Sequence, residues 1–219
     1  MDITTQEKRE PAGKPQDVPF ERRRRQLTMA EQLEHGRMVS NLAYLVGKEL
    51  HLSEEQLREL TIAGFFHDIG KTEINIEETT QSDRPLVVEE INSIRLHPQK
   101  GSEILHRHGY SETVCEAVLH HHENYDGSGY PHNLEGWNIS LEACILRVCD
   151  VFCALVSDRP YRTAFPAETA MEMMIEEIQK YDIKVFLALQ RIVHSGENGE
   201  IVLPPIQDEV RGVWKSLWN

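Results

Sequence analysis

Apolar residues along this chain recur with a helical period. Leu42, Ala43, Val46 and Leu50 fall at i, i+1, i+4 and i+8 and form one stripe, which predicts a helix opening near Thr28. Thr28 and Glu31 stand three apart, as do Ser53 and Gln56, and both pairs fit a capping box. The second pair predicts a helix through Leu57, Leu60 and Ala63 to Gly70. Further helices are predicted near 88–97, 98–108, 111–122, 140–157, 166–179 and 182–194. Residues 72–88 have mixed polarity and hold Pro85, which predicts a loop, and Asp126-Gly127-Ser128-Gly129-Tyr130-Pro131 is turn chemistry. Residues 196–205 form a breaker region, and Trp214, Leu217 and Trp218 predict a short amphipathic end. No segment reads as a convincing sheet strand and no internal repeat is visible, so the expected fold class is all-α, a single helical bundle.

Composition adds boundaries. Residues 1–25 hold Pro11, Pro15 and Pro19 and show no periodicity, which predicts a disordered tail. One domain is expected over 26–195 and an extension over 196–219. The chain has 219 residues and a formal charge of −13. The tail carries seven basic and five acidic groups, leaving 16 basic and 31 acidic groups beyond it. A body that acidic is a poor binder of long nucleic acid, and an anionic substrate would need local cations. The run of four arginines at 22–25 reads as a solvated linker or helix entry, with an anionic surface as the alternative. No apolar run reaches the roughly 20 residues of a membrane span, and no secretory h-region is evident. Cys115, Cys144, Cys149 and Cys153 follow no CxxC spacing and read as reduced thiols, so a cytoplasmic location is expected.

Eleven histidines point to chemistry. His67-Asp68-Ile69-Gly70-Lys71 offers an imidazole and a carboxylate side by side. Alone, that pair is equally an ordinary hydrogen-bonded pair. Its company changes the weight: His35 has Glu31 one helical turn before it, His97-Pro98 stands at a predicted helix junction, and His120-His121-His122-Glu123 precedes the Gly-rich turn. Asp150 lies in the otherwise apolar stretch 145–152, where a carboxylate is costly unless paired or metal-bound.

The ordered set His67-Asp68, His97-Pro98 with Gly101, His121-His122-Glu123 with Asp126-Gly127-Ser128-Gly129-Tyr130-Pro131, Asp150, and Asp158-Arg159-Pro160-Tyr161-Arg162 closely resembles the HD-GYP family, a branch of the HD-domain metal-dependent phosphohydrolases. The resemblance covers roughly residues 28–195. It implies an all-α fold around a centre of two or three divalent metal ions, and hydrolysis of cyclic di-GMP to pGpG or GMP. The implied metal ligands are His35, His67, Asp68, His97, His121, His122 and Asp150, with Asp68 bridging and Glu31 added where three metals bind. Asp68 and Lys71 are the implied catalytic pair, Lys71 also contacting a phosphate. Arg159 and Arg162 would hold phosphates, and Gly129, Tyr130 and Pro131 would border the substrate.

Such a site suits the chemistry. A phosphodiester is anionic and repels hydroxide; two metals about 3.5–4 Å apart supply a bridging hydroxide at neutral pH and clamp the phosphoryl oxygens. Imidazole with carboxylate favours iron or manganese over a thiolate-bound zinc site. Arginine adds planar phosphate binding. Three departures from the family pattern stand out. Cys153 occupies the place of a usual second Asp, the segment from Lys71 to Ile76 is less apolar than usual, and Asn124-Tyr125 replaces Arg-Trp. They keep two alternatives open: a cyclic-dinucleotide-binding signalling module without turnover, and a phosphohydrolase of another nucleotide. The 25-residue head is too short for a receiver or sensory domain, so the expectation is either that the protein stands alone or that a regulatory protein partner controls it; a homodimer, with Trp214 and Trp218 at a contact or capping the core, is a further expectation.

Overall fold

In a computed structural model, residues 29–74, 92–159 and 162–195 are described. The expected tail over 1–25, the cap at Thr28, the arginine run, most of the 72–88 loop and the extension over 196–219 lie outside them. The described residues contain helices, turns and two isolated β-bridges, with no strand among them.

Helix α1 spans Met29–Glu49, and its stripe of Val39, Leu42, Ala43 and Val46 is fully buried. Helix α2 spans Glu54–Phe66 and opens with the expected capping box, Ser53 and Gln56 each accepting from the other's backbone N–H. It packs along α1, where Gly64 lets the two backbones approach: a Cβ there would meet the Ser40 Cα at 2.9 Å.

Helix α2 ends four residues before the predicted Gly70. His67 and Asp68 form a turn, and Ile69–Glu73 continues as a 3₁₀ helix. Packing explains the break. Gly70 sits against the next helix, α3 (His97–Arg107), where an added Cβ would lie 2.0 Å from the His97 carbonyl oxygen and 2.5 Å from the Gly101 nitrogen.

Helix α3 corresponds to the helix predicted over 98–108 and begins one residue earlier, with Pro98 in its first turn, where the absent N–H costs nothing. Helix α4 (Glu112–His120) is capped by Ser111, and α5 (Leu141–Leu155) by Ser140. Helices α6 (Ala167–Glu176) and α7 (Ile183–Ser195) close the bundle. Helix α5 is the central element: it contacts α1, α2, α4, α6 and α7, and Phe152, Leu146, Cys149 and Cys153 on it are fully buried. Cys153 is therefore a small core residue.

Replacing Gly70 by Ala drives a methyl group into the α3 backbone, an overpacking cost of about 1–3 kcal/mol. A domain of this size loses about 2–4 °C per kcal/mol, so G70A is expected to melt several degrees below wild type by calorimetry. A wild-type melting temperature would show that α3 is free to move away.

Candidate metal centre

Helices α1 to α5 each deliver polar groups to one interior point. His35 comes from α1, His67-Asp68 from the turn after α2, His97 from the start of α3, His121-His122 from just past α4, and Asp150 from the middle of α5. His35, His67, His97 and His121 are buried.

One local bond recurs. His67, His97 and His121 each place Nδ1 on the carbonyl oxygen three residues earlier, Gly64 at 2.8 Å, Ile94 at 2.7 Å and Val118 at 2.6 Å. A carbonyl only accepts, so each Nδ1 carries the proton and each Nε2 presents a lone pair to the interior. The Nε2 atoms of His97 and His121 face each other at 3.3 Å, and His122 Nε2 stands 3.1 Å from that of His97. Lone pairs facing at that distance repel unless a cation lies between them. The Nε2 of His67 and the Nδ1 of His35 are buried without a hydrogen-bond partner. Backbone-anchored imidazoles of this kind are the usual arrangement of metal ligands, so the donor set fits divalent cations.

The groups form two adjoining clusters able to hold an ion, Asp68 with His97, His121 and His122, and His35 with His67 and Asp150. Within each, the donor atoms lie within 4.8 Å of one another. Asp68 stands at the seam. Its Oδ1 is 3.2 Å from His97 Nε2, and its Oδ2 is 3.5 Å from His67 Nε2 and 2.5 Å from Lys71 Nζ. Asp150 Oδ1 lies 3.0 Å from His35 Nε2 and 3.7 Å from His67 Nε2.

The electrostatics favour the ligand form of both carboxylates and of His121 and His122. Burial alone would raise the Asp68 carboxyl, but Lys71, His67 and His97 outweigh it and hold it well below the usual range. Asp150 follows the same logic, with His35 and His67 as its partners. Burial, helped by neighbouring imidazoles, pushes His121 far down, and burial takes His122 to about 3 despite the nearby carboxylates. Burial also pushes the Cys149 and Cys153 thiols up, so neither offers a thiolate.

The remaining expected residues are placed differently. Glu31 and Arg159 line, with His35, Glu34 and Ser157, a cleft of about 290 Å³ beside the second cluster. Tyr130 stacks on His122, ring centroids 4.8 Å apart. Gly129 is buried behind it, where a Cβ would lie 2.2 Å from the Asn124 nitrogen, and Pro131 follows Tyr130 through a cis peptide bond. Arg162, expected to hold a phosphate, is engaged with backbone. Its guanidinium donates to the carbonyls of Ala154 at 2.5 Å and of Leu155 and Thr163 at 3.0 Å, and stacks on Phe165, clipping the end of α5 to the following chain. His120 turns away from the centre and pairs with His132 at 3.0 Å.

Two arginines escaped the sequence reading. Arg147 donates from Nε to Asn124 Oδ1 at 2.9 Å, and Asn124 donates on to Ser128 Oγ, bracing the turn. Its place three residues before Asp150 on one helix was a usable signal. Arg95 lies over the Tyr130 ring at 5.2 Å, a partner 35 positions away that no spacing rule connects.

With the geometry in place, comparison with known proteins is decisive. A model of the HD domain matches residues 18–185. The chain belongs to the HD-domain family. Curated relatives of this HD domain include a cyclic di-GMP phosphodiesterase of Pseudomonas aeruginosa, 36% identical over 169 residues, covering 77% of this chain and 41% of the relative. The cyclic di-GMP phosphodiesterase response regulator RpfG of Xanthomonas campestris is 40% identical over 135 residues, covering 61% and 35%. The HD domain thus spans about two fifths or less of these relatives' length. Among solved structures, the HD-GYP-type protein Bd1817 of Bdellovibrio bacteriovorus shares the fold, with a TM-score of 0.60, 19% identity and coverage of 77% of this chain and 55% of that one. The HD-GYP resemblance of the motifs accords with these matches. No helix among the described residues is long and apolar enough to cross a membrane.

Added divalent cation is expected to raise the melting temperature of metal-free protein, since an ion at a hundredfold excess over Kd stabilises by about 2.7 kcal/mol. Asp68→Ala removes oxygens from the seam of both clusters and is expected to abolish most of that rise and of the bound metal. A wild-type rise in the variant would separate Asp68 from metal binding.

Proposed function

We propose that this HD domain is a cytoplasmic, metal-dependent phosphodiesterase that hydrolyses cyclic di-GMP to pGpG, GMP or both. The observation that carries the reading is the pair of adjoining His/Asp clusters joined at Asp68, within a domain whose relatives bear that activity in their names. His35, His67, Asp68, His97, His121, His122 and Asp150 are the proposed ligands of two divalent cations. Glu31 is the proposed addition for a third, from the cleft beside His35. Imidazole and carboxylate donors, with no thiolate among them, favour iron or manganese.

Bound there, the cations supply an activated water at neutral pH and neutralise the phosphoryl oxygens. The chain does the rest. Nδ1 anchoring holds the imidazoles in one orientation. Lys71 balances the charge of Asp68 and stands where a phosphate oxygen would approach. Burial pushes the Tyr130 phenol up, so it stays neutral and is free to donate to an anion. Arg159 offers a cation on the cleft side, and Gly129 and Pro131 shape the turn that carries Tyr130.

The proposal takes 26–195 as the catalytic domain, flanked by the tail over 1–25 and the extension over 196–219. It includes control by a protein partner or by self-association as a homodimer, since in the relatives more than half of the length lies outside the matched part. The four cysteines are buried and free of disulfides, which accords with a reducing compartment.

Anaerobically prepared, iron- or manganese-loaded protein incubated with cyclic di-GMP is expected to yield pGpG or GMP on chromatography. Asp68→Ala is expected to lose at least about 100-fold in rate. No product from a sample of confirmed metal content would overturn the assignment.

A further inference from the structure

An acidic body that handles a substrate with two phosphates needs cations beyond the metals, and most of the nearby ones are engaged. Lys71 is paired with Asp68, Arg147 is bonded to Asn124, and Arg162 is held by backbone carbonyls. Arg159 shares its cleft with Glu31 and Glu34. Arg95 differs. It is exposed, its guanidinium lies over the Tyr130 ring, and no carboxylate among the described residues pairs with it.

Its position is also fixed. The bond from His97 Nδ1–H to the Ile94 carbonyl, which sets the tautomer of that imidazole, closes the turn that carries Arg95, and Leu96 N–H adds a bond to the Ser93 carbonyl at 3.1 Å. On the inner side Tyr130 stacks on His122, so guanidinium, phenol and imidazole are layered from solvent to metal centre. A guanidinium resting on an aromatic face keeps its N–H edge open for a planar, bidentate contact.

The geometry points to a second anion subsite, formed by Arg95 on the Tyr130 ring, that takes the phosphate of a cyclic dinucleotide not held at the metal centre. This rests on the proposed function and adds a determinant to it. A substrate with a single phosphate group would leave the subsite empty, so the subsite favours dinucleotides over mononucleotides.

The test uses metal-loaded full chain with cyclic di-GMP as the probe, read as Kd by calorimetry, or as KM and kcat where turnover consumes the nucleotide. Arg95→Ala and Arg95→Met are expected to weaken Kd or KM at least about tenfold with metal content and melting temperature retained. Arg95→Lys is expected to recover part of the loss, and the defect is expected to narrow with added salt. Wild-type affinity in both neutral variants, with wild-type protein binding normally, would overturn the subsite while leaving the phosphodiesterase reading intact. Loss of metal in step with affinity would make Arg95 a support of the loop and overturn the subsite. A defect unchanged by salt would assign the contact to a base edge instead of a phosphate and overturn it too. No binding or turnover by wild type would overturn both readings together.

Discussion

Buried imidazoles donating Nδ1–H to a carbonyl three residues back are the interaction on which the interior of this protein depends. The bond is made within one turn of chain, so each histidine is oriented by its own segment. Packing then brings free Nε2 atoms together, His97 facing His121 at 3.3 Å. Removing these groups from water is costly, and their lone pairs repel. The arrangement becomes favourable only with positive charge among them. Asp68 and Asp150 are held ionised by the same neighbours, so anionic and neutral donors are ready together. The centre of the bundle is thus a polar network whose satisfaction depends on cations.

That network needs short distances between backbones, and small residues provide them. Gly64 seats α2 on α1, Gly70 seats the His67-Asp68 turn on α3, and Gly129 seats the Tyr130 turn on the backbone just past His122. Each contact would be blocked by one methyl group. The bundle is rigid where it must aim ligands, and the core of α5, with Phe152 and the small Cys149 and Cys153, fills the space behind them. A thiol at position 153 leaves no charge in that layer, so the second carboxylate usual in the HD-GYP pattern is replaced by apolar packing.

The negative charge of the body disfavours long polyanions, while Lys71, Arg95 and Arg159 set cationic side chains about the two His/Asp clusters. Arginines near the centre are not equivalent: Arg162 and Arg147 hold backbone and turn, and Arg95 rests on the Tyr130 ring. Type and position in the sequence do not separate these roles; hydrogen-bond partners do.

The amino-acid sequence by itself determined the helical class, because periodicity, caps at Ser53, Ser111 and Ser140, and breakers act over a few residues. It also marked the residues that form the two clusters, because a buried carboxylate such as Asp150 and paired histidines are chemically conspicuous wherever the chain puts them. Tertiary structure decided the rest. It ended α2 at Phe66 rather than Gly70, since α3 presses on that glycine. It divided the donors into two clusters with Asp68 between them, bound Arg162 to backbone carbonyls, and set Arg95 on Tyr130. These outcomes depend on contacts between residues tens of positions apart, and such contacts exist only once apolar burial has brought the helices together.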